Sequence, residues 1–161
     1  MASRKKTKRI ITSAKYANDI ILSASELGEG WKETNTEGVQ LQDGPSFVSR
    51  DVRQFFKKEN GQKKSQQVLM ALIDYGKVEV SKRIYDETRS SLRGEHRPHT
   101  LMVEDEGTGI AVEMGEEMGM SIFLFRKGTF LGIWTVWTFI GTEIDVPWVE
   151  GKIRLQVSKI L

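Results

Sequence analysis

Residues Met118 to Ile140, MGMSIFLFRKGTFLGIWTVWTFI, form the longest and most apolar stretch of the chain. Ile122 to Phe125 and Phe130 to Ile140 are dense in aromatic and β-branched side chains, the types that fit a pleated, packed surface. The polar break between them, Arg126-Lys127-Gly128-Thr129, predicts a hairpin whose glycine is free to take positive φ. The same break excludes a membrane-spanning helix, because each half falls far short of the ~20 apolar residues that a span needs.

Side chains alternate faces along a strand, which divides the second arm into two sets. Phe130, Trp134 and Val136 point one way, and Leu131, Ile133, Trp137 and Phe139 the other. Both sets are apolar, so this is expected to be a central strand covered on both faces, with helices as the covers. Trp134 and Trp137 then sit on opposite faces as core aromatics. Gly132 is expected to mark a bulge or a place where a covering helix comes close.

The rest of the chain supplies the partners. Apolar positions Ile10, Ala14, Ala17 and Ile21 recur at helical spacing and predict a helix from about Ile10 to Ile21. Ser23-Ala24-Ser25-Glu26 has the form of a capping box, so a single helical turn should end at Gly28, with Trp31 anchoring the first strand. Thr34 to Gly44 reads as a short edge strand or hairpin. Phe47 to Phe56 reads as a half-exposed strand with Val48, Val52 and Phe56 on its apolar face. Asn60-Gly61 predicts a type I′ turn into a return strand, Gln66 to Tyr75, apolar on both faces.

Gly76 should end that strand, and Lys77 to Leu92 reads as an amphipathic helix with Val78, Ser81, Tyr85, Thr88 and Leu92 on its buried stripe and Ile84 beside it. Gly94 suits a helix stop. An extended segment from Arg97 to Glu104 follows, and Glu106-Gly107-Thr108-Gly109 is expected to turn it into a strand from Ile110 to Met114. A second turn, Gly115 to Gly119, should lead into the apolar hairpin. Asp145-Val146-Pro147 breaks the sheet and starts a last helix to Ile160, striped by Val149, Ile153, Val157 and Ile160. The expected fold is therefore α+β, a mainly antiparallel sheet of about six to seven strands with helices packed on its faces, an α/β/α sandwich.

At 161 residues the chain fits one domain, expected over residues 10–161, behind a basic disordered tail at residues 1–9. Arg4, Lys5, Lys6, Lys8 and Arg9 make that tail cationic, while the whole chain carries only +2, so the remainder is mildly acidic. No apolar run of the signal-peptide kind follows the tail, so a cytoplasmic protein is expected. The absence of cysteine excludes disulfides, thiolate catalysis and cysteine-ligated metals.

Little in the sequence carries chemistry. Glu95, His96 and His99 resemble a metal site in composition. The histidines sit at i, i+3 with Pro98 between them, however, where helical ligand pairs sit at i, i+4, so a solvated loop is the expected reading. Glu104, Asp105, Glu106, Glu113, Glu116 and Glu117 fall in turn-rich stretches and form no EF-hand pattern. The glycine-bearing stretches match neither a P-loop nor a dinucleotide fingerprint, and each contains a glutamate that would repel phosphate. With no nucleophile elbow and two adjacent histidines, no catalytic triad assembles. Neither a cofactor nor a catalytic activity is expected.

The cations are the clearest interaction feature. Lys57, Lys58, Lys63 and Lys64 flank Asn60-Gly61 and form a second basic tip alongside the tail. Such groups can contact phosphates with strongly salt-dependent affinity, although lysines also guard hairpin ends against aggregation.

Two short stretches carry a family resemblance: Leu22 to Trp31 (LSASELGEGW), and Phe125-Arg126-Lys127-Gly128 between two apolar strands ahead of a final helix. In these the chain resembles the PsbP-like fold group. That resemblance implies an antiparallel sheet between helices and an accessory or binding role, and it carries over no catalytic residue. The expected function is a non-enzymatic binding or accessory module whose partner is a protein or small ligand. The alternative is nucleic-acid association through the basic tail and the Lys57–Lys64 tip.

Overall fold

The computed structural model describes residues 16–36, 44–57, 66–92, 97–100, 106–113, 118–139 and 145–160. Seven strands build one sheet: β1 (Trp31–Thr34), β2 (Ser49–Lys57), β3 (Gln66–Asp74), β4 (Arg97–Thr100), β5 (Glu106–Glu113), β6 (Met118–Lys127) and β7 (Phe130–Phe139). Their spatial order is β1-β2-β3-β7-β6-β5-β4, and every neighbouring pair is antiparallel. The chain lays down β1 to β3 as a meander. It then crosses to the far edge and returns through β4, β5 and β6, so that β7 closes the gap beside β3. Four helices accompany the sheet: α1 (Ala17–Ile20), α2 (Ala24–Leu27), α3 (Val78–Ser91) and α4 (Val146–Ser158). This is the α+β architecture that the apolar pattern predicts.

β7 is the central strand. It pairs with β3 from Phe130 to Thr138 and with β6 over its full length. Its alternation sorts as expected, with Trp134 and Val136 buried on one face and Leu131 buried on the other. On the first face they join Phe55, Val68, Met70, Leu72, Phe123 and Phe125 beneath Ile20 and Leu22 near α1, Leu27 of α2, and Val149, Ile153 and Val157 of α4. Each such side chain contributes about 1.5–3 kcal/mol by leaving water, which makes this layer the main source of stability.

Local chemistry fixes the elements around that layer. Ser23 caps α2, its hydroxyl accepting from Glu26 N at 3.3 Å while Glu26 Oε1 accepts from Ser23 N at 3.1 Å; Gly28 ends the turn at φ 128°. Trp31 follows and stacks on Trp148 of α4, with centroids 5.4 Å apart and planes 9° from parallel. Asp145 caps α4 by accepting from Trp148 N at 3.1 Å, and Pro147 stands in the first turn, where its missing N–H is harmless. Arg53 of β2 reaches back to the carbonyls of Leu22 (3.4 Å) and Asn18 (3.2 Å), strapping the α1–α2 segment to the sheet.

Several expectations are corrected. Glu106-Gly107-Thr108-Gly109 is strand, not turn. Gly107 and Gly109 pair with Phe125 and Phe123 of β6, and Glu106 pairs with Arg126. Arg126 and Lys127 belong to β6, so the hairpin turn narrows to Gly128-Thr129, with Gly128 at φ 59°. Gly119 likewise lies in β6 rather than in a turn. In β2 the fully buried ring is Phe55, not Phe56, and Val48 precedes the strand and is exposed. Val78, expected on the buried stripe of α3, is exposed as well. The Asn60-Gly61 turn, the Gly94 stop and the helical positions before residue 16 lie outside the described residues.

Gly132 marks neither a bulge nor a helix contact. The register runs through it unbroken, pairing it with Leu72 and Phe125, and a Cβ there would fall 2.1 Å from Cζ of the Phe125 ring. The ring of one strand occupies the side-chain space of the next. Gly132→Ala should therefore displace Phe125 and destabilise the fold by roughly 1–3 kcal/mol, as overpacking of a filled core does. Thermal unfolding measures this, and Phe125→Leu in the same chain should restore part of the loss.

Candidate binding surface

Among the described residues the two faces of the sheet are covered unequally. On the second face α3 packs against β6 and β7, and Tyr85 forms a buried cluster with Leu124 and Leu131, joined by Tyr75, Ile84 and Ile133. Ser81 anchors the helix, its hydroxyl donating to Gly128 O at 2.7 Å. This is the stripe expected of an amphipathic helix, and it reaches only the end of the sheet near the β6–β7 turn.

Beyond α3 the same face continues as two cross-strand rows. One runs through Phe56, Gln67, Trp137 and Met120, and the other through Gln54, Leu69, Thr135 and Ile122. Phe56, Leu69, Met120, Ile122 and Trp137 belong to neither buried cluster and are only half-buried. Their polar neighbours in these rows are two amides and a hydroxyl, and the nearest cation along the first row is Lys32, opposite Phe56 on the edge strand β1. Trp137, expected as a core aromatic, instead stands in this partly open apolar surface, whereas Trp134 is core as expected.

A polar group bounds the surface at the edge of α3. Arg126 is buried, with its Nε donating to Glu106 Oε2 at 2.8 Å and its Nη1 to Gly128 O at 3.0 Å. The Tyr85 phenol beside it is pushed up to about 12, by burial first and by the Glu106 carboxylate next. A phenol held neutral in this way lends no proton near neutrality, so the group orders α3 rather than performing acid–base work.

Most of the residues singled out for chemistry lie outside the described ones. Arg4, Lys5, Lys6, Lys8, Arg9, Lys58, Lys63, Lys64, Glu95 and His96 lie outside the described residues. His99 falls in the edge strand β4, paired through its backbone with Gly109. Lys57 ends β2, half-buried, with its aliphatic stem against Gly30. Among the described residues no group of three or more His, Asp or Glu side chains is placed to hold a metal ion, and no described helix is long and apolar enough to cross a membrane. The sequence reading missed the open surface. Its signal was the Phe55-Phe56 pair, which satisfies either strand phase and so hides which face each ring takes.

No family model matches the chain, and no curated protein matches it. Among solved structures it is similar to the extracellular domain of PknH from Mycobacterium tuberculosis, with a TM-score of 0.59 at 9% sequence identity, over 88% of this chain and 94% of that one. At that identity the likeness is one of fold: a sheet with helices, spanning nearly the whole of both chains.

The Tyr85 arrangement has a pH signature. Because its folded pKa is raised, the stability it contributes is present below the unfolded value of about 10 and is lost as pH rises towards 12. Tyr85→Phe should flatten the alkaline fall in stability between those values, measured by denaturant unfolding. It should also remove the latest step in the absorbance titration of the tyrosines.

Proposed function

We propose that the protein is a non-enzymatic binding or accessory module that takes an uncharged apolar group of a protein or small ligand on the sheet surface beside α3. The observation that carries this reading is the half-buried set Phe56, Leu69, Met120, Ile122 and Trp137 on a face whose other end is sealed by a helix. Amides and a hydroxyl lie among the apolar groups, which suits a partner with neutral hydrogen-bonding atoms and disfavours an ionic one, since an unpaired charge would lose its hydration there. The likeness of LSASELGEGW and FRKG to the PsbP-like group supports the same accessory role.

The neutral fluorescent probe N-phenyl-1-naphthylamine tests the surface. It should bind the wild-type chain, and Trp137→Ser or Ile122→Asp should weaken binding by about tenfold or more, the equivalent of removing one buried aromatic or aliphatic side chain. Unchanged binding in both variants, with their folding verified by circular dichroism, would move the site elsewhere.

A second reading rests on charge: the five cations of residues 4–9 and the lysines around Asn60-Gly61 support association with nucleic acid. Titration of a labelled oligonucleotide against salt should then show a slope that shrinks, on deletion of residues 1–9, by ~0.9 for each phosphate that those cations neutralise. An unchanged slope and affinity would sink this reading and leave the sheet surface standing.

A further inference from the structure

Five large hydrophobic side chains are exposed among the described residues, and four of them, Tyr16, Phe47, Val48 and Val78, gather at one end of the sheet. Val48 N–H donates to Asp74 O at 2.7 Å, which sets it beside the end of β3, and its Cγ2 lies 2.7 Å from where a Cβ on Gly76 would stand. Val78 opens α3 two residues after that glycine. Ala17 N–H donates to Ser49 Oγ at 2.9 Å, which brings Tyr16 to the same end. Phe47 lies under Arg50, whose Cζ stands 4.6 Å from the ring centroid. This tip is at the opposite end of β2 and β3 from Phe56 and Gln67, and so is separate from the surface around Trp137.

The backbone holds the tip in place. Gly76 takes φ 76° and donates to Asp74 Oδ1 at 2.8 Å, and Tyr75 N–H donates to Thr129 O at 2.9 Å. Val48 therefore rests on a pinned turn rather than in the core. Apolar groups fixed in water in this way are more stable against another apolar phase. The charges of the tip itself nearly balance: Arg50, Lys77 and Lys82 are exposed cations, and Asp19, Asp74 and Glu79 are the acids near them. The excess lies in the chain that leads into Tyr16, where residues 1–15 hold Arg4, Lys5, Lys6, Lys8, Arg9 and Lys15 and no acid. Arg9 precedes Tyr16 by seven residues, so the covalent chain keeps it within about 25 Å of Tyr16.

We propose that this end of the protein docks on an anionic lipid surface, with Tyr16, Phe47, Val48 and Val78 entering the boundary between headgroups and acyl chains and the cations of residues 4–15 meeting the lipid phosphates. Binding at a bilayer interface strengthens both with the apolar area buried and with the attraction of basic groups to anionic headgroups. Here the two contributions are joined at Tyr16. A nucleic acid would use the cations alone, because its phosphate backbone gives Phe47 and Val48 no apolar phase to enter.

Co-sedimentation of the full chain with vesicles tests the proposal, using phosphatidylcholine alone and an equimolar mixture of phosphatidylcholine and phosphatidylserine. The chain should bind the mixed vesicles, less so as salt rises, and bind phosphatidylcholine alone far more weakly. The double variant Phe47→Ser, Val48→Ser should lower the partition coefficient by about tenfold or more. Its thermal stability and its affinity for a labelled oligonucleotide should stay near those of the wild type, which separates this result from the nucleic-acid reading. Because the chain has no cysteine, Val48→Cys takes a single nitrobenzoxadiazole label, whose emission should brighten and shift to the blue on mixed vesicles. Absence of binding to mixed vesicles overturns the proposal, as does equal binding to both kinds. Wild-type binding by the double variant, with no shift of the label, is adsorption by the cations alone and also overturns it. Sedimentation equilibrium without lipid tests the remaining occupant: self-association abolished by Val78→Asp would assign the tip to a second copy of the chain instead.

Discussion

Everything in this structure depends on a strand that is apolar on both of its faces. β7 is paired along both edges by β3 and β6, and its side chains are apolar above and below the sheet, with Trp134 and Leu131 buried on opposite faces. A strand of that composition must be central and must be covered twice. The chain meets the first demand by adding β7 last, between two meanders already laid down. It meets the second with α1, α2 and α4 on one face and, over one end, with α3 on the other. Packing across the strands then sets the finer choices, as where Phe125 fills the space above Gly132.

The helix-covered face is held by polar ties that span the chain. Leu22 N–H bonds Gln156, 134 residues away, and Lys152 Nζ donates to Glu26 O at 2.8 Å across 126 residues. Glu26 also pairs with Lys159. Burial pushes the Glu26 carboxyl upward, but the hydrogen bonds from Lys159 and Ser23 outweigh it and hold the group below its ordinary value. Such a carboxylate supports the fold above its unfolded pKa and ceases to do so as pH falls through the lowered one. Two short helical turns that would not persist alone are thus clamped between the sheet and the last helix, with the Trp31–Trp148 stack closing the far end.

Elements whose pattern is local were legible in the sequence. The Ser23–Glu26 box, the stripe of α4 and the hairpin at Gly128 each depend on residues within a few positions of one another, and each stands where the spacing places it. What was hidden depends on partners distant in sequence. Gly107 and Gly109 read as turn residues until the neighbouring strand shows that Phe125 and Phe123 stand across from them. Phe55 and Phe56 are equivalent by composition; only the placement of α1 and α2 puts one in the core and the other on the partly open face. Trp137 was assigned to the core by the rule that large aromatics on a central strand are buried. Trp137 departs from that rule: it is only half-buried and joins neither core cluster, which no pattern inside β7 records.

That inequality between the faces bears most directly on function. Among the described residues, one side of the sheet is covered by three helices and the other by the amphipathic stripe of α3 over one end. The residues left outside the seal are not the small or polar ones that would make an uncovered sheet face inert. They are Phe56, Leu69, Met120, Ile122 and Trp137, each of which is more stable against another apolar surface than against water. Retaining them half-buried leaves part of the available burial energy unused within the chain, at roughly 25 cal/mol for each Å2 of apolar surface still open. Energy of that kind is available to an association. On the proposed reading, the uncharged amides among these side chains would favour orientation by hydrogen bonding over selection by charge, whereas on the alternative one the cations of the N-terminal segment would act through long-range, salt-sensitive attraction. The two proposals call on different forces.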